Sequence, residues 1–268
     1  MLLDYHLHTP RCGHATGEME AYLLQAQRAG LDEIGFSDHD PPYFLPEAAR
    51  YPGIGMTETE LPEYVAEVMQ LAQRHPELPV RLGLEADYVA GQEERLAALL
   101  APYPWDYVIG SVHFVNGWDL TDERFLERYA ATSALSLSES YFFDVQGLAR
   151  SGLFQIAGHF DVVDKFFCGH TQLAREVAIA ALEELRKAGM AIEINSSGLR
   201  YPKASPFPAR WLVQEAITRH IPFVLGSDAH APHRVGAQLH RIAAWLQSLG
   251  VTSVLRFHNR EASPVPLG

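Results

Sequence analysis

The stretch Leu2-Leu3-Asp4-Tyr5-His6-Leu7-His8 begins as a short apolar, strand-like run and ends in two histidines. His6 and His8 are separated by one residue, so in an extended segment their side chains point to the same face and can bind one ion together. In a helix they would point apart. A partly buried, hydrogen-bonded histidine pair is the alternative interpretation, and the pair alone leaves both open.

Apolar, β-rich runs recur along the rest of the chain and alternate with helix-like stretches. The seven strand candidates are Leu2 to His6, Glu33 to Ser37, Val80 to Glu85, Tyr107 to Val112, Phe154 to Ala157, Ala191 to Asn195, and Pro222 to Gly226. The amphipathic helix candidates include Met19 to Arg28, Leu61 to His75, Gln172 to Ala188 and Ala209 to His220. The alternation predicts parallel strands with helical crossovers, as a closed barrel or an open doubly wound sheet. No linker-like change of composition occurs, so residues 1–268 are predicted to form a single domain.

Potential metal ligands follow six of the seven predicted strands. They occur in Tyr5-His6-Leu7-His8, Ser37-Asp38-His39-Asp40, Glu85, His113, His159-Phe160-Asp161 and Asp228-Ala229-His230. In a parallel barrel the carboxyl ends of the strands meet at one rim, so these residues would surround one pocket. Asp38 and Asp161 could instead cap the segments that follow them, and His14 could be an ordinary surface histidine.

The candidate ligands comprise six or more imidazoles, two or three carboxylates and no thiolate. This donor set suits zinc, manganese or iron better than magnesium or calcium. It also exceeds what one ion needs. Two or three divalent transition-metal ions are therefore predicted, with Glu85 as a candidate bridging carboxylate.

The composition is that of an ordinary globular protein of 268 residues, with 47% hydrophobic and 20% charged residues. A net charge of −12 disfavours nucleic acid as a partner, whereas a small anion can still bind where metal ions offset that charge. The sequence contains neither a basic stretch leading into an apolar run nor about 20 uninterrupted apolar residues. We expect a cytoplasmic protein that does not bind membranes and, with only Cys12 and Cys168, has no structural disulfide. Whether it forms oligomers stays open.

Several motifs together resemble the polymerase-and-histidinol-phosphatase (PHP) superfamily, and within it the stand-alone histidinol-phosphate phosphatases. They are Asp4-Tyr5-His6-Leu7-His8-Thr9, Cys12-Gly13-His14-Ala15, Phe36-Ser37-Asp38-His39, Gly83-Leu84-Glu85, Gly110-Ser111-Val112-His113, Gly158-His159-Phe160-Asp161, Glu193-Ile194-Asn195-Ser196-Ser197-Gly198-Leu199-Arg200 and Gly226-Ser227-Asp228-Ala229-His230. The resemblance extends over nearly the whole chain. Each motif alone is weak, but the set is highly specific.

The resemblance implies an α/β fold, a distorted TIM-like (β/α)7 barrel with a trinuclear metal site at the C-terminal ends of the strands. The three implied ligand groups are His6, His8, Glu85 and Asp228; Glu85, His113 and His159; and His14, His39 and His230. Only the resemblance makes His14 a ligand.

The resemblance also implies a phosphomonoesterase that hydrolyses L-histidinol phosphate to L-histidinol and phosphate in histidine biosynthesis. A hydroxide that bridges two ions is expected to attack phosphorus in line. Arg200 is the candidate phosphate clamp because its planar fork matches two oxygens, although a surface salt bridge would explain it equally; Ser197 and Lys203 are predicted to contact the substrate with it. Asp161 or Asp38 could protonate the leaving alcohol or orient a ligand imidazole, and orientation is favoured for Asp38.

Three other interpretations remain. A PHP phosphoesterase could act on another substrate, namely a nucleotide, a phosphodiester or phosphotyrosine, although the acidic composition argues against a nuclease. A zinc amidohydrolase also begins with His-x-His but commonly bridges its metals with a carboxylated lysine, and no lysine ends a predicted strand. A binding protein without catalysis is disfavoured by the complete ligand set.

Overall fold

A barrel of parallel strands forms the centre of the fold in a computed structural model that describes residues 1–167 and 169–268. The strands are β1 (Leu3–Leu7), β2 (Glu33–Phe36), β3 (Val80–Asp87), β4 (Tyr107–Ser111), β5 (Phe114–Val115), β6 (Trp118–Asp119), β7 (Ile156–Ala157), β8 (Ala191–Asn195), β9 (Phe223–Gly226), β10 (Ser253–His258) and β11 (Glu261–Pro266). Seven of them pair in the order β1-β2-β3-β4-β7-β8-β9, and every neighbouring pair is parallel.

The two edges of this sheet meet just beyond β1 and β9. His8 N donates to Ala229 O over 3.0 Å, and Ala229 N donates to His6 O over 3.1 Å. These main-chain hydrogen bonds bring the last strand beside the first, so the sheet is nearly closed. The predicted distorted (β/α)7 barrel is confirmed, and the open doubly wound sheet is wrong.

Helices connect successive strands and cover the outside of the barrel. They are α1 (Met19–Arg28), α2 (Leu61–Arg74), α3 (Glu93–Leu100), α4 (Leu126–Ala131), α5 (Ala134–Ser151), α6 (His170–Leu173), α7 (Arg175–Ala188), α8 (Arg210–Thr218) and α9 (Leu239–Ser248). The helix predicted from Gln172 to Ala188 is divided, because buried Ala174 has φ −98° and ψ 32°, outside the helical region. α7 ends at Ala188 and is followed by Gly189, whose φ of +68° suits a residue without a side chain.

The N-terminal end of the barrel is closed by the β10–β11 hairpin. Phe257 of β10 packs with its ring centroid 6.5 Å from that of Tyr5 and 6.3 Å from that of Tyr107, and these two tyrosines stack at 4.8 Å. Glu33 accepts hydrogen bonds from Tyr5 and from Arg81, whose Nε lies 2.8 Å away. Aromatic packing and a partly buried ion pair therefore occupy this end, and the opposite end is left for the polar strand termini.

No helix within residues 1–167 and 169–268 is long and apolar enough to cross a membrane. Cys12 is buried and carries a free thiol. The expectation that the chain has no structural disulfide also concerns Cys168, which lies outside the described residues.

Candidate metal centre

Glu85, in the C-terminal half of β3, lies at the centre of the candidate site and is 1% exposed. Its Oε2 atom is 3.1 Å from Nε2 of His6, 3.6 Å from Nε2 of His8 and 3.1 Å from Nδ1 of His39. One carboxylate oxygen therefore faces imidazoles from the ends of β1 and β2. Asp228, after β9, completes this side with its Oδ1 3.4 Å from Nε2 of His8.

The other oxygen of Glu85 faces a second pair of histidines. Oε1 is 2.9 Å from Nε2 of His159 and 3.5 Å from Nε2 of His113, and these two nitrogens are 3.2 Å apart. Ser111 donates its hydroxyl hydrogen to the same oxygen over 2.6 Å. Glu85 thus lies between two groups of ligand atoms, as a bridging carboxylate would.

A third group of imidazoles lies towards the outside of the site. The ring of His14 is 4.5 Å from that of His230 and 5.3 Å from that of His39, centroid to centroid. Ring nitrogens of His8, His39 and His230 lie within 4.8 Å of one another. The structure therefore brings all nine predicted ligands together, including His14, which no strand end would have indicated.

Asp228 reaches this cluster through an uncommon backbone conformation. Its φ is +54°, in the left-handed region that costs a residue with a side chain about 1 kcal/mol or more. The fold keeps this conformation where a carboxylate meets His8 and where Asp228 O accepts from Nδ1 of His230 over 3.2 Å. Such strain is typical of functional positions.

Four buried polar atoms of the cluster lack hydrogen-bond partners in the part of the chain that the structure describes, and this property indicates whether metal ions fit the site. Nε2 of His6, Nε2 of His8, Oε2 of Glu85 and Nε2 of His230 make no hydrogen bond of acceptable geometry among the described residues. Leaving buried polar atoms unpaired costs about 1–3 kcal/mol each, so a group that accepts their lone pairs is expected here. Divalent ions that prefer nitrogen and oxygen donors fit this requirement.

The electrostatics differ among the histidines of the cluster. Burial lowers the pKa of His6 and of His113, but nearby carboxylates, chiefly those of Glu193 and Asp87, respectively, raise it more, so both lie above the usual range. These two imidazoles would release a proton on binding a metal.

Burial raises the pKa of Glu85, but the surrounding imidazoles, including those of His6 and His39, lower it by more. The pKa of Glu85 therefore lies well below the usual range. Burial holds the pKa of His39 and of His230 well below the usual range, so both are neutral, which is the form that binds a metal. Burial raises the pKa of the nearby Cys12 thiol, whose sulfur lies within 4.8 Å of possible ligand atoms of His14 and His230.

Carboxylates behind the cluster contact the outer nitrogens of several histidines. Asp87 Oδ1 is 2.8 Å from Nδ1 of His113, and Asp38 Oδ1 is 3.3 Å from Nδ1 of His8. Asp38 also accepts a short hydrogen bond from the Thr9 hydroxyl. Asp38 is therefore placed to orient a ligand imidazole, the role favoured for it from sequence, whereas Asp87 was not singled out.

A cavity of about 840 Å³ opens above the cluster. Its wall includes Ser197 and Arg200, both predicted to contact the substrate, and Arg234, which was not predicted. The Arg200 guanidinium donates to Ser227 O over 3.3 Å and to Asp228 O over 3.1 Å. Arg200 is thus held beside a predicted ligand by main-chain carbonyls, and not by the surface salt bridge considered as its alternative.

Lys203 and Asp161 contact each other. Lys203 Nζ is 2.9 Å and 3.0 Å from the two carboxylate oxygens of Asp161, and the side chains are 4% and 0% exposed. Asp161 also accepts from Ala209 N over 2.8 Å. The structure therefore pairs Lys203 with Asp161, and Asp161 accepts three hydrogen bonds from two donors, Lys203 Nζ and Ala209 N.

Fold and site together define an α/β barrel whose strand ends carry a histidine and carboxylate cluster able to hold divalent metal ions. Residues 4–197 match the PHP domain, and this chain belongs to the PHP domain family, as its motifs indicated. It is 40% identical to the probable histidinol-phosphatase of Deinococcus radiodurans, over 98% of this chain and 99% of that protein. It is 29% identical to the histidinol-phosphatase of Bacillus subtilis, over 87% of this chain and 95% of that protein.

The fold also matches a solved structure. The crystal structure of histidinol phosphate phosphatase from Lactococcus lactis, complexed with zinc, L-histidinol and phosphate, superposes with a TM-score of 0.84. The two chains are 22% identical, and the match covers 98% of each. At this identity the similarity establishes the fold.

Proposed function

We propose that this chain is a histidinol-phosphatase, a metal-dependent phosphomonoesterase that converts L-histidinol phosphate into L-histidinol and phosphate. The observation that carries the proposal is the cluster around Glu85 at the base of a cavity that Arg200 lines. The relative from Deinococcus radiodurans, which is similar over nearly its entire length, supports the same substrate.

The residues of the cluster would hold two or three metal ions, and zinc is supported by the protein from Lactococcus lactis. His6, His8, Glu85 and Asp228 form one candidate group, and the remaining ligands are His14, His39, His113, His159 and His230. When bound, such ions neutralise phosphoryl oxygens and lower the pKa of water. The protein would supply imidazoles and the Glu85 carboxylate, which is already buried between two groups of histidines.

The phosphoryl group would lie between the cluster and the arginines of the cavity wall. Arg200 presents a guanidinium held by Ser227 O and Asp228 O, and Arg234 lines the same cavity. A guanidinium binds two phosphate oxygens through parallel, charge-assisted hydrogen bonds. Ser197, also on the wall, would add a hydroxyl donor.

The amine end of the substrate would lie against the β5–β6 hairpin, where Asp119 lines the cavity. Asp119 Oδ1 accepts from Thr121 N and Oγ1 over 2.8 Å and 2.7 Å, which fixes its carboxylate. A fixed carboxylate suits the ammonium group of histidinol phosphate. Phe114, on the same hairpin and cavity wall, offers a ring face to the imidazole.

The test is phosphate release from L-histidinol phosphate by enzyme loaded with zinc, manganese or iron. Sugar phosphates, nucleotides, a phosphotyrosine peptide and a phosphodiester serve as comparison substrates. We expect a strong preference for histidinol phosphate, abolished in His113→Ala, because Nε2 of His113 is part of the cluster. Preference for a nucleotide, the diester or the phosphopeptide would keep the metal centre and reject the substrate.

A further inference from the structure

β8 is the one predicted strand that ends in no predicted metal ligand. It lies between β7 and β9 in the barrel. Glu193 and Asn195 on this strand are separated by one residue, so they share a face, and both are 0% exposed. A buried carboxylate in a barrel interior needs specific partners to offset its loss of hydration.

Those partners are candidate metal ligands on other strands. Glu193 Oε1 is 2.6 Å from Nδ1 of His6, and its Oε2 accepts from His159 N over 2.8 Å. Asn195 Nδ2 donates to Glu193 Oε2 over 3.1 Å and to Asp228 Oδ2 over 3.4 Å. The two β8 side chains thus contact three candidate ligands: His6 on β1, His159 after β7 and Asp228 after β9.

Gly226 of β9 lies between Glu193 and β1. A Cβ atom at Gly226 would be 1.9 Å from Glu193 Oε1 and 2.8 Å from the Cβ of His6. Real Cβ atoms do not approach other atoms so closely. Because Gly226 has no side chain, the Glu193 carboxylate can pass across β9 and reach His6.

We propose that Glu193 is a positioning residue of the metal centre, acting on His6 through its ring and on His159 through its main chain. A carboxylate at Nδ1 fixes the tautomer in which Nδ1 carries the hydrogen, and it leaves Nε2 of His6 as a metal donor facing Glu85. The same carboxylate fixes the backbone from which His159 reaches the other oxygen of Glu85. The inference rests on the proposed metal-dependent function.

Glu193→Gln is the direct test, because the substitution keeps the shape and changes the chemistry. The amide NH2 group must face either the hydrogen on Nδ1 of His6 or His159 N–H, and both contacts place donor against donor. We expect zinc affinity, measured by competition with a chelator on the full chain, to fall about 10–100-fold. Zinc alone is the probe, so the readout does not depend on turnover.

Glu33→Gln is the matched control. Glu33 is also a glutamate that is 0% exposed, but its partners Tyr5 and Arg81 lie at the other end of the barrel. A purely structural role for Glu193 predicts that both variants lose unfolding free energy and that neither loses zinc affinity. The proposal predicts that only Glu193→Gln loses zinc affinity.

If Glu193→Gln does not fold, zinc affinity is measured on Gly226→Ala, because the added methyl group displaces the Glu193 carboxylate. Its control is Gly30→Ala, which strains the backbone at a φ of +68° although the added Cβ has no atom within 4 Å, so it should lower stability without lowering zinc affinity. Unchanged zinc affinity in a folded Glu193→Gln or Gly226→Ala protein overturns the inference, even if the wild type hydrolyses histidinol phosphate. A wild-type protein that binds zinc but does not hydrolyse histidinol phosphate would reject the proposed function and leave the inference about Glu193 standing.

Discussion

At the scale of single residues, the contact between Lys203 and Asp161 favours a structural role for Lys203 over a role in substrate binding. Both side chains are almost fully buried, and the ammonium group lies within 3.0 Å of both carboxylate oxygens. The ring of Phe207 lies 4.0 Å below the same nitrogen. The Lys203 ammonium group is therefore enclosed by protein groups.

Lys203→Met should destabilise the fold and leave catalysis by the folded enzyme unchanged. Removing one partner leaves the Asp161 charge buried and unpaired, which costs about 3–5 kcal/mol. Urea unfolding measures this loss, and the double variant with Asp161→Asn should recover much of it. If Lys203 instead contacts the substrate phosphate, the KM of the folded single variant rises, and that result would contradict the structural role.

Sequence patterns indicated the candidate ligands at the strand ends better than the carboxylates that contact the outer nitrogens of those ligands. The spacing of His6 and His8 indicated a shared face, and the same spacing connects Glu85 with Asp87 and Glu193 with Asn195. Asp87 and Glu193 were missed because their partners are Nδ1 atoms of histidines far along the chain. The sequence shows the charge of Lys203 but not the buried Asp161 carboxylate that pairs with it, and substrate contact by Lys203 stays a prediction.

At the scale of elements, the positions of the barrel strands follow from local patterns, but the division between α6 and α7 and the closing hairpin do not. α1 has the predicted bounds, and β8 does too. β10 and β11 were not predicted, because Phe257 finds its apolar partners on β1 and β4, far from it in sequence. Only Val254, Phe257 and Val265 of these two strands are buried, so the strands give little apolar signal of their own.

The hairpin closes the barrel at the end remote from the metal centre, so its contribution should be to stability alone. Phe257 is 3% exposed, and truncating a buried phenylalanine costs about 3–5 kcal/mol. We expect Phe257→Ala to lower the unfolding free energy by that amount in urea titrations, with kcat/KM of the folded enzyme unchanged. Phe143→Ala, at a position 63% exposed on α5, is the control and should change stability by less than about 0.5 kcal/mol. A lower kcat/KM in folded Phe257→Ala would show that the two ends of the barrel are coupled.

At the scale of the whole molecule, the candidate metal centre lies where the first and last strands of the barrel, β1 and β9, meet. Removing metal with a chelator leaves buried nitrogen and oxygen atoms unpaired, so the apo protein should melt at a lower temperature. Zinc at 100 times its Kd adds about 2.7 kcal/mol, or about 5–11 °C in Tm for a domain of this size.

Thermal unfolding of chelated, zinc-reloaded and magnesium-supplemented protein measures this difference. Zinc should restore Tm, and magnesium should not, because a site rich in imidazole suits zinc and not magnesium. Equal Tm values for chelated and zinc-loaded protein would mean that the cluster does not bind zinc in the native state.

The closure of the barrel between β1 and β9 also determines when, during translation of the chain, the candidate ligands can come together. His6 and Asp228 are more than 200 residues apart, and ribosomes add about 5–20 residues per second, so roughly 10–45 s separate the translation of these two ligands. During that interval β1 lacks the neighbour that completes it, and its two histidines can hold an ion only loosely. The complete set of candidate ligands can therefore come together only after β9 and Asp228 have left the ribosome.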